Sequence, residues 1–294
     1  MRPTRRKFLQ TGASAALALS APAEPTMSIA EAARAADKLD GFDIVDVHGH
    51  IDETPLGSIW PQGPQDLLEE MDRCGVRQSV FSHLGAIEAS EAADLINGTE
   101  ISAQTVGKYP SRFRSYLVFH PHFFEVSKRE LPRLLDPNSP FVGFKLHGAF
   151  HRYPANGPKY EVAFGFAHEH RLPVLLHAAG TGRDWENIGA IADRFSRMKL
   201  ILAHFGPGEE GLPVLMKGRP NLFIDTCLST GRHRLIERLA ASIGPEKILF
   251  ATDATFDSVV AQLAKIAFLD LPESEKKLIL GGNARHIFGT LPKA

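Results

Sequence analysis

Length, composition and charge exclude several classes of protein. The chain has 294 residues, of which 44% are hydrophobic and 23% are charged, as in a globular protein and unlike a disordered one. The 33 Lys and Arg residues against 34 Asp and Glu give a formal net charge of −1, so no basic excess exists to bind nucleic acid. Only two cysteines, Cys74 and Cys227, are present, which excludes a disulfide scaffold, and we predict both to be ordinary buried thiols.

Residues 1–23 are predicted to be an export signal and not part of the fold. The paired Arg5 and Arg6 precede a mild apolar run and small residues that end at Ala23, a pattern that resembles a twin-arginine signal. The apolar run is too short and too rich in small residues to anchor the chain in a membrane. We therefore predict export by the twin-arginine machinery to the periplasm, and a mature domain of residues 24–294.

The rest of the chain alternates short apolar runs with amphipathic stretches. Runs rich in Val, Ile, Leu and Phe are typical of buried parallel strands. Eight such runs occur, at residues 43–47, 78–82, 116–119, 141–146, 173–176, 200–203, 222–224 and 248–251. Between them, helices are predicted at residues 64–74, 160–170 and 232–243, among others.

Eight strand–helix units predict a single-domain (β/α)8 TIM barrel. The runs recur about every 30 residues, which is enough for one strand, one helix and two loops. Eight units of this size match the usual length of such a barrel, about 250 residues. An open, doubly wound sheet is the alternative fold. It is disfavoured because the first run leads into His48-Gly49-His50 and not into a Gly-rich phosphate-binding turn.

Histidines concentrate at the ends of the predicted strands. The chain contains 13 His, and the first His or carboxylate after each run is, in order, His48, His83, His120, His147, His177, His204, Asp225 and Asp253. The active site of a TIM barrel lies at the carboxyl ends of its strands, and imidazole and carboxylate are good ligands for divalent metals. His48 and His50 are two residues apart and therefore share one face of a strand. The sequence thus predicts a metal site at the barrel mouth.

Several of these residues lie in motifs that resemble a known family. The motifs are Asp46-Val47-His48-Gly49-His50, His177 in Leu-Leu-His-Ala-Ala-Gly, His204 in Leu-Ala-His-Phe-Gly, and Asp253 in Phe-Ala-Thr-Asp. In this order they resemble the amidohydrolase superfamily. The similarity is greatest to its branch of metal-dependent hydrolases and aminocarboxymuconate-semialdehyde-decarboxylase-like enzymes, and it runs from about residue 42 to residue 289.

The resemblance implies a set of metal ligands. It assigns His48, His50 and His177 to one divalent ion, with Asp253 as a fourth ligand or close partner, and it favours Zn²⁺ with Mn²⁺ as the alternative. Asp253 would transfer protons, and His204 would orient a water or stabilise a developing oxyanion. The residues alone leave two other interpretations open, a helix cap for Asp253 and a core histidine for His204.

Lys145 and His147 share one face of the fourth predicted strand. Three hypotheses compete for Lys145: a carboxylated lysine that bridges a second metal, as in some superfamily members, an ammonium that binds substrate, or an ion pair with an acid such as Asp225. A single metal is usual in the branch, so the second metal ranks lower. His147 is predicted to face the substrate.

Two loop residues after strand ends, Trp60 and Arg183, are predicted to bind substrate. Arg183 would bind a carboxylate through its planar guanidinium group, although a solvated loop arginine explains the same residue equally well.

We expect a metal-dependent hydrolase that acts on a small molecule at a carbonyl centre, such as a lactone, ester or amide, with a metal-activated water. The alternative is a non-oxidative decarboxylase of an aromatic or unsaturated carboxylic acid, because relatives use the same ligands for both reactions and specificity lies in the loops. A non-catalytic binding protein ranks third, since the sequence has the expected residue at every metal-binding and acid–base position. The expected partner is a small molecule with a carboxylate, and the sequence leaves a homo-oligomer open.

Overall fold

The computed structural model describes residues 38–52, 63–177, 185–205, 211–227 and 232–289. The predicted export signal, Trp60 and Arg183 lie outside these residues. Within the described ranges, none of the helices combines the length and apolar character that crossing a bilayer requires.

Eight parallel strands form one sheet in sequence order. Their bounds are β1 Ile44–Ile51, β2 Val76–His83, β3 Phe113–Val118, β4 Phe141–His147, β5 Pro173–His177, β6 Lys199–Leu202, β7 Leu222–Asp225 and β8 Ile248–Leu249. Hydrogen bonds join the two ends of the sheet, because Val47 N–H donates to Phe250 O at 3.1 Å and Asp253 N–H donates to His48 O at 2.7 Å. The prediction of a single-domain TIM barrel is confirmed.

Helices follow the strands and cover the outside of the barrel. They are α1 Pro64–Cys74, α2 Leu84–Ile87, α3 Ala92–Lys108, α4 Phe124–Glu130, α5 Tyr160–His170, α6 Trp185–Arg194, α7 Leu212–Met216, α8 Leu235–Ile243, α9 Val259–Ala267, α10 Glu273–Lys277 and α11 Asn283–Phe288. Short 3₁₀ turns occupy Pro121–Phe123, Leu131–Leu135 and Pro245–Lys247, and a π-helical turn, Leu278–Gly282, joins α10 to α11. Two of the helices, α1 and α5, have the bounds that the sequence predicts, whereas α8 begins at Leu235 and not at Arg232.

Alternation along the strands separates two apolar cores. In β6, Leu200 and Leu202 pack between the sheet and the helices, while Ile201 packs inside the barrel. In β4, Phe144 and Leu146 pack outward in the same way, so the residues between and after them, Lys145 and His147, face inward. The strand pattern therefore aims these polar side chains at the barrel mouth.

The end of β1 departs from regular pairing. Val45 and Val47 pack inside the barrel, and the register of β1 against β2 shifts between Asp46 and Gly49. A shift of this kind re-aims the side chains that follow it. His48 and His50 consequently contact residues at the barrel mouth.

Candidate metal centre

Two imidazoles from β1 converge on one carboxylate that follows β8. His48 Nε2 lies 3.3 Å from Asp253 Oδ1, and His50 Nε2 lies 3.1 Å from the same oxygen. Both histidines are almost fully buried, and their ring centroids are 5.1 Å apart. Two nitrogens and an oxygen this close together form a donor set that suits a divalent cation.

Hydrogen bonds fix which nitrogen of each imidazole carries the proton. His48 Nδ1 lies 2.9 Å from the Asp225 carboxylate, and His50 Nδ1 lies 3.2 Å from the carbonyl oxygen of Ser82. Carboxylates and carbonyls only accept hydrogen bonds, so both Nδ1 atoms donate. Each Nε2 therefore carries a lone pair that can bind a cation, as in metal-binding histidines generally.

His177 and His204 form a second chain of imidazoles. His204 Nδ1 lies 3.0 Å from the carbonyl oxygen of Cys227, so Nδ1 donates and Nε2 accepts. His177 Nδ1, 3.2 Å from His204 Nε2, must then donate, which leaves His177 Nε2 unprotonated. All three histidines predicted as ligands thus carry the proton on Nδ1 and present Nε2 as a lone-pair donor.

Burial and neighbouring charges keep the site histidines neutral and Asp253 ionised. Burial, reinforced by the charge of Lys145, lowers the pKa of His48 far below its usual value and that of His177 to about 3. Burial raises the pKa of Asp253, but interaction with the neighbouring imidazoles of His48 and His50 outweighs it and holds the pKa well below its usual value. Neutral imidazoles and an ionised carboxylate are the protonation states that bind metals.

Lys145 reaches the same centre from β4. Its Nζ lies 2.5 Å from His48 Nε2, and the residue is fully buried. Burial lowers the pKa of Lys145 to about 8, opposed by the charges of Asp253 and Asp225. Among the described residues no carboxylate lies within ion-pair distance of Nζ, so the hypothesis of a direct Lys145–Asp225 pair is wrong.

Sequence reasoning missed part of the surroundings of His48. Cys227 is buried, as predicted, but it is not an ordinary core thiol, because its Sγ lies 3.2 Å from His48 Nδ1 and 3.1 Å from Asp225 Oδ1. The ligand atoms of His48, His204, Cys227 and Asp253 all lie within 4.8 Å of one another. The only sequence signal was position, since Cys227 follows Asp225 by two residues, the spacing that places side chains on one side of an extended chain.

His147 lies beside the centre and not in it. Its ring stacks on that of His177 with centroids 3.8 Å apart and planes at 16°. The register explains the contact, because His147 of β4 pairs with His177 of β5. The structure thus brings together His48, His50, Lys145, His204 and Asp253, and it places His177 and His147 at their edge.

A closed eight-stranded barrel with imidazoles and one aspartate at its carboxyl-terminal mouth defines a class of metal-dependent enzyme. The profile of the family described as Amidohydrolase matches residues 45–290. Since this match covers most of the sequence, the chain belongs to the amidohydrolase family, and it is an enzyme of that superfamily. The resemblance drawn from the sequence motifs is confirmed.

Named relatives of this chain include decarboxylases. The sequence is 24% identical over 300 residues to gamma-resorcylate decarboxylase from Polaromonas sp. The alignment covers 78% of this chain and 90% of that protein. The fold is similar to that of 2,6-dihydroxybenzoate decarboxylase from Rhizobium, with a TM-score of 0.67 and 19% identity over 84% of this chain and 98% of that one.

A third relative was solved with a metal. Dihydroxybenzoic acid decarboxylase from Polaromonas sp. JS666, with bound manganese and 2-nitroresorcinol, has a TM-score of 0.63 and 18% identity over 84% of this chain and 97% of that one. The comparisons favour the decarboxylase alternative over the hydrolase that the sequence ranks first.

Proposed function

We propose that this chain is a metal-dependent, non-oxidative decarboxylase of a hydroxylated aromatic carboxylic acid. The main support is the match to gamma-resorcylate decarboxylase, which spans most of both chains. The site agrees with that reaction, because a buried lysine, a carboxylate and neutral imidazoles lie together at one barrel mouth.

The ligand set we propose is His48, His50, His177 and Asp253, the set that the family resemblance implies. The unprotonated Nε2 atoms of the three histidines and the ionised Asp253 carboxylate support it. Manganese is the metal bound by one structural relative, so Mn²⁺ and Zn²⁺ are both to be tested. A divalent cation held by these residues would supply positive charge that stabilises the negative charge of an acidic substrate.

The protein's own groups suit an aromatic acid. Lys145 provides a buried positive charge for the carboxylate, which offsets the cost of removing that anion from water. Phe150 follows β4 and Phe256 follows β8, two strands on opposite sides of an eight-stranded barrel, and about half of each ring is exposed. Phe150 contacts His147 at 4.4 Å and Phe256 contacts His50 at 5.6 Å between centroids, so apolar rings flank the centre on two sides.

In the proposed reaction Asp253 moves a proton. Its carboxylate takes the proton of the ring hydroxyl next to the acid group and delivers it to the ring carbon that carries this group. The bond from that carbon to the carboxylate then breaks, carbon dioxide leaves, and the bonding electrons restore the aromatic ring as a phenolate. A proton from solvent completes the phenol, so the net reaction consumes one proton per carbon dioxide released.

The test is an assay of the purified full chain loaded with Mn²⁺ or Zn²⁺. We expect 2,6-dihydroxybenzoate to yield equal amounts of carbon dioxide and resorcinol, and a chelator to abolish the reaction.

We expect Asp253→Asn to fold but to lose at least about 100-fold in kcat. Lys145→Met should raise KM about tenfold or more, because the carboxylate loses its charged partner. The exposed residues Asp270 and Lys277 provide the matched controls Asp270→Asn and Lys277→Met.

Other outcomes separate the remaining hypotheses. Hydrolysis of lactones, esters or amides without carbon dioxide release would establish the hydrolase instead. Failure of the protein to bind any divalent metal would favour the non-catalytic binding protein. Near-normal turnover by Asp253→Asn would remove Asp253 from proton transfer. Export through the predicted signal, residues 1–23, stays a prediction.

A further inference from the structure

His147 is a hydrogen-bond donor whose orientation the fold determines. Its Nδ1 accepts the backbone N–H of Phe150 at 3.1 Å, so the proton of the neutral ring is on Nε2. Among the described residues, none accepts a hydrogen bond from this Nε2–H. His147 is 6% exposed and ends β4 at an inward-facing position, so the donor lies at the barrel mouth.

Two aromatic rings pack against the ring of His147. The nearly parallel ring of His177 lies 3.8 Å away between centroids, and the ring of Phe150, tilted by 45°, lies 4.4 Å away. The turn after the strand adds a further restraint, because His151 N–H donates to His147 O at 3.0 Å. A side chain restrained in this way presents its donor in one place, which is the requirement for discriminating between ligands.

The nature of the donor indicates what it binds. In the proposed complex, the positive charges of Lys145 and of a cation at the candidate metal centre neutralise the carboxylate of the substrate. His147 is neutral in this tautomer and is displaced from the centre by one stacked ring, so it suits an uncharged oxygen elsewhere on the substrate. A site that supplies a buried donor strongly disfavours an analogue that lacks the acceptor.

We propose that His147 is a specificity-determining residue that donates Nε2–H to a second hydroxyl oxygen on the substrate ring. This inference rests on the proposed decarboxylation of a ring acid at the same site. The Nε2–H donor of His147 makes the enzyme selective for acids with hydroxyls on both sides of the carboxylate over acids with only one hydroxyl.

The test compares those two kinds of acid in the metal-loaded full chain. We expect the wild type to favour the doubly hydroxylated acid in kcat/KM by about tenfold or more. His147→Phe keeps a flat ring against His177 but has no donor, so the ratio should fall towards one. His147→Gln places an amide N–H near the position of Nε2 and should restore part of the preference. His286→Gln, on the exposed face of α11, is the control and should keep the wild-type ratio.

Calorimetric binding of the matching nitrophenols, one with a single hydroxyl and one with two, provides a readout without turnover. A binding preference that His147→Phe removes supports the inference even if no acid is decarboxylated, in which case only the proposed reaction fails. A wild type that decarboxylates or binds both ligands equally overturns the inference. So does a preference that survives in both His147→Phe and His147→Gln.

Discussion

Asp225 is the residue on which the arrangement of the candidate metal centre depends most. Its carboxylate is fully buried and accepts hydrogen bonds from His48 Nδ1 at 2.9 Å, from the backbone N–H of His204 at 2.7 Å and from Cys227 Sγ at 3.1 Å. His204 has a φ of 56°, an uncommon backbone conformation for a histidine, and the bond to Asp225 stabilises it. A single side chain therefore orients the ring of His48 and the backbone that positions His204.

We predict that Asp225→Asn weakens metal binding by about 10- to 100-fold, as is usual when the partner of a metal-binding histidine is changed. The asparagine has only one acceptor oxygen for His48 and His204, and its amide group would face the other donor. Competition with a chelating dye measures the metal dissociation constant. Asp193→Asn is the control, because Asp193 pairs with Arg219 on the surface. Equal metal affinity in Asp225→Asn and the wild type would contradict the orienting role.

At the scale of elements, the end of β1 is the segment that places the two histidines. Asp46 is buried and accepts bonds from His48 N, Ser79 Oγ and both the N–H and the hydroxyl of Thr252, so it ties β1 to β2 and to the residues after β8. Gly49 lies between the two histidines. A Cβ added at Gly49 would lie 2.8 Å from Ser79 Oγ and 3.3 Å from Asp46 Oδ2. Only a residue without a Cβ atom therefore fits at position 49 without movement of these neighbours.

Gly49→Ala should destabilise the chain by about 1–3 kcal/mol and lower its metal content, because Ser79 or β1 must move to admit the methyl group. Urea unfolding and metal analysis of the purified variant measure the two effects. Gly107→Ala is the matched control, since a Cβ at Gly107 in α3 meets no atom within 4 Å. That change should stabilise the chain by about 0.4–1 kcal/mol. The same free energy of unfolding for both variants would show that the packing around Gly49 admits a methyl group without cost.

The sequence predicted the elements better than the contacts between them. All eight strands lie on predicted apolar runs, because buried parallel strands differ clearly in composition from the amphipathic helices between them. The pair His48 and His50 was found because the period of two holds within one strand. The hydrogen bonds from His48 to Asp225 and from His177 to His204 were not predicted. The first joins residues 177 positions apart and depends on the closure of the barrel, and the second depends on the geometry at the ends of two neighbouring strands.

The whole barrel concentrates neutral imidazoles in its interior. His120 and His151 lie side by side beyond the ends of β3 and β4, with ring centroids 4.1 Å apart, and both are nearly inaccessible to solvent. Burial, together with the neighbouring histidines, lowers the pKa of His120 to about 4 and that of His151 to about 3. His151 also bonds the hydroxyl of Tyr160 at 2.5 Å and the carbonyl of Ile87 at 3.1 Å, which leaves neither nitrogen free.

These histidines make the stability of the whole molecule depend on pH in a defined direction. An unfolded chain binds protons on its histidines as the pH falls through about 6.5, whereas the folded chain resists until about 4 for His120 and about 3 for His151. Between these values the unfolded state holds more protons, so the free energy of unfolding decreases by up to about 1.4 kcal/mol per pH unit for each imidazole. Asp46 opposes the trend in part, because burial raises its pKa to about 6 and its folded form gains a proton first.

We therefore expect the wild type to be most stable above about pH 6.5 and to lose stability progressively towards pH 4.5.

His151→Gln should be less stable at pH 7.5 by about 1–3 kcal/mol, because Tyr160 and Ile87 lose a well-placed partner. Its disadvantage should shrink at pH 5, since the glutamine does not titrate and the penalty for a buried neutral imidazole is gone. Urea unfolding at pH 7.5 and pH 5, with the same metal concentration throughout, measures the difference. His286→Gln, an exposed change, should follow the wild type at both pH values. Parallel pH dependences for the wild type and His151→Gln would show that the buried imidazole does not govern acid sensitivity.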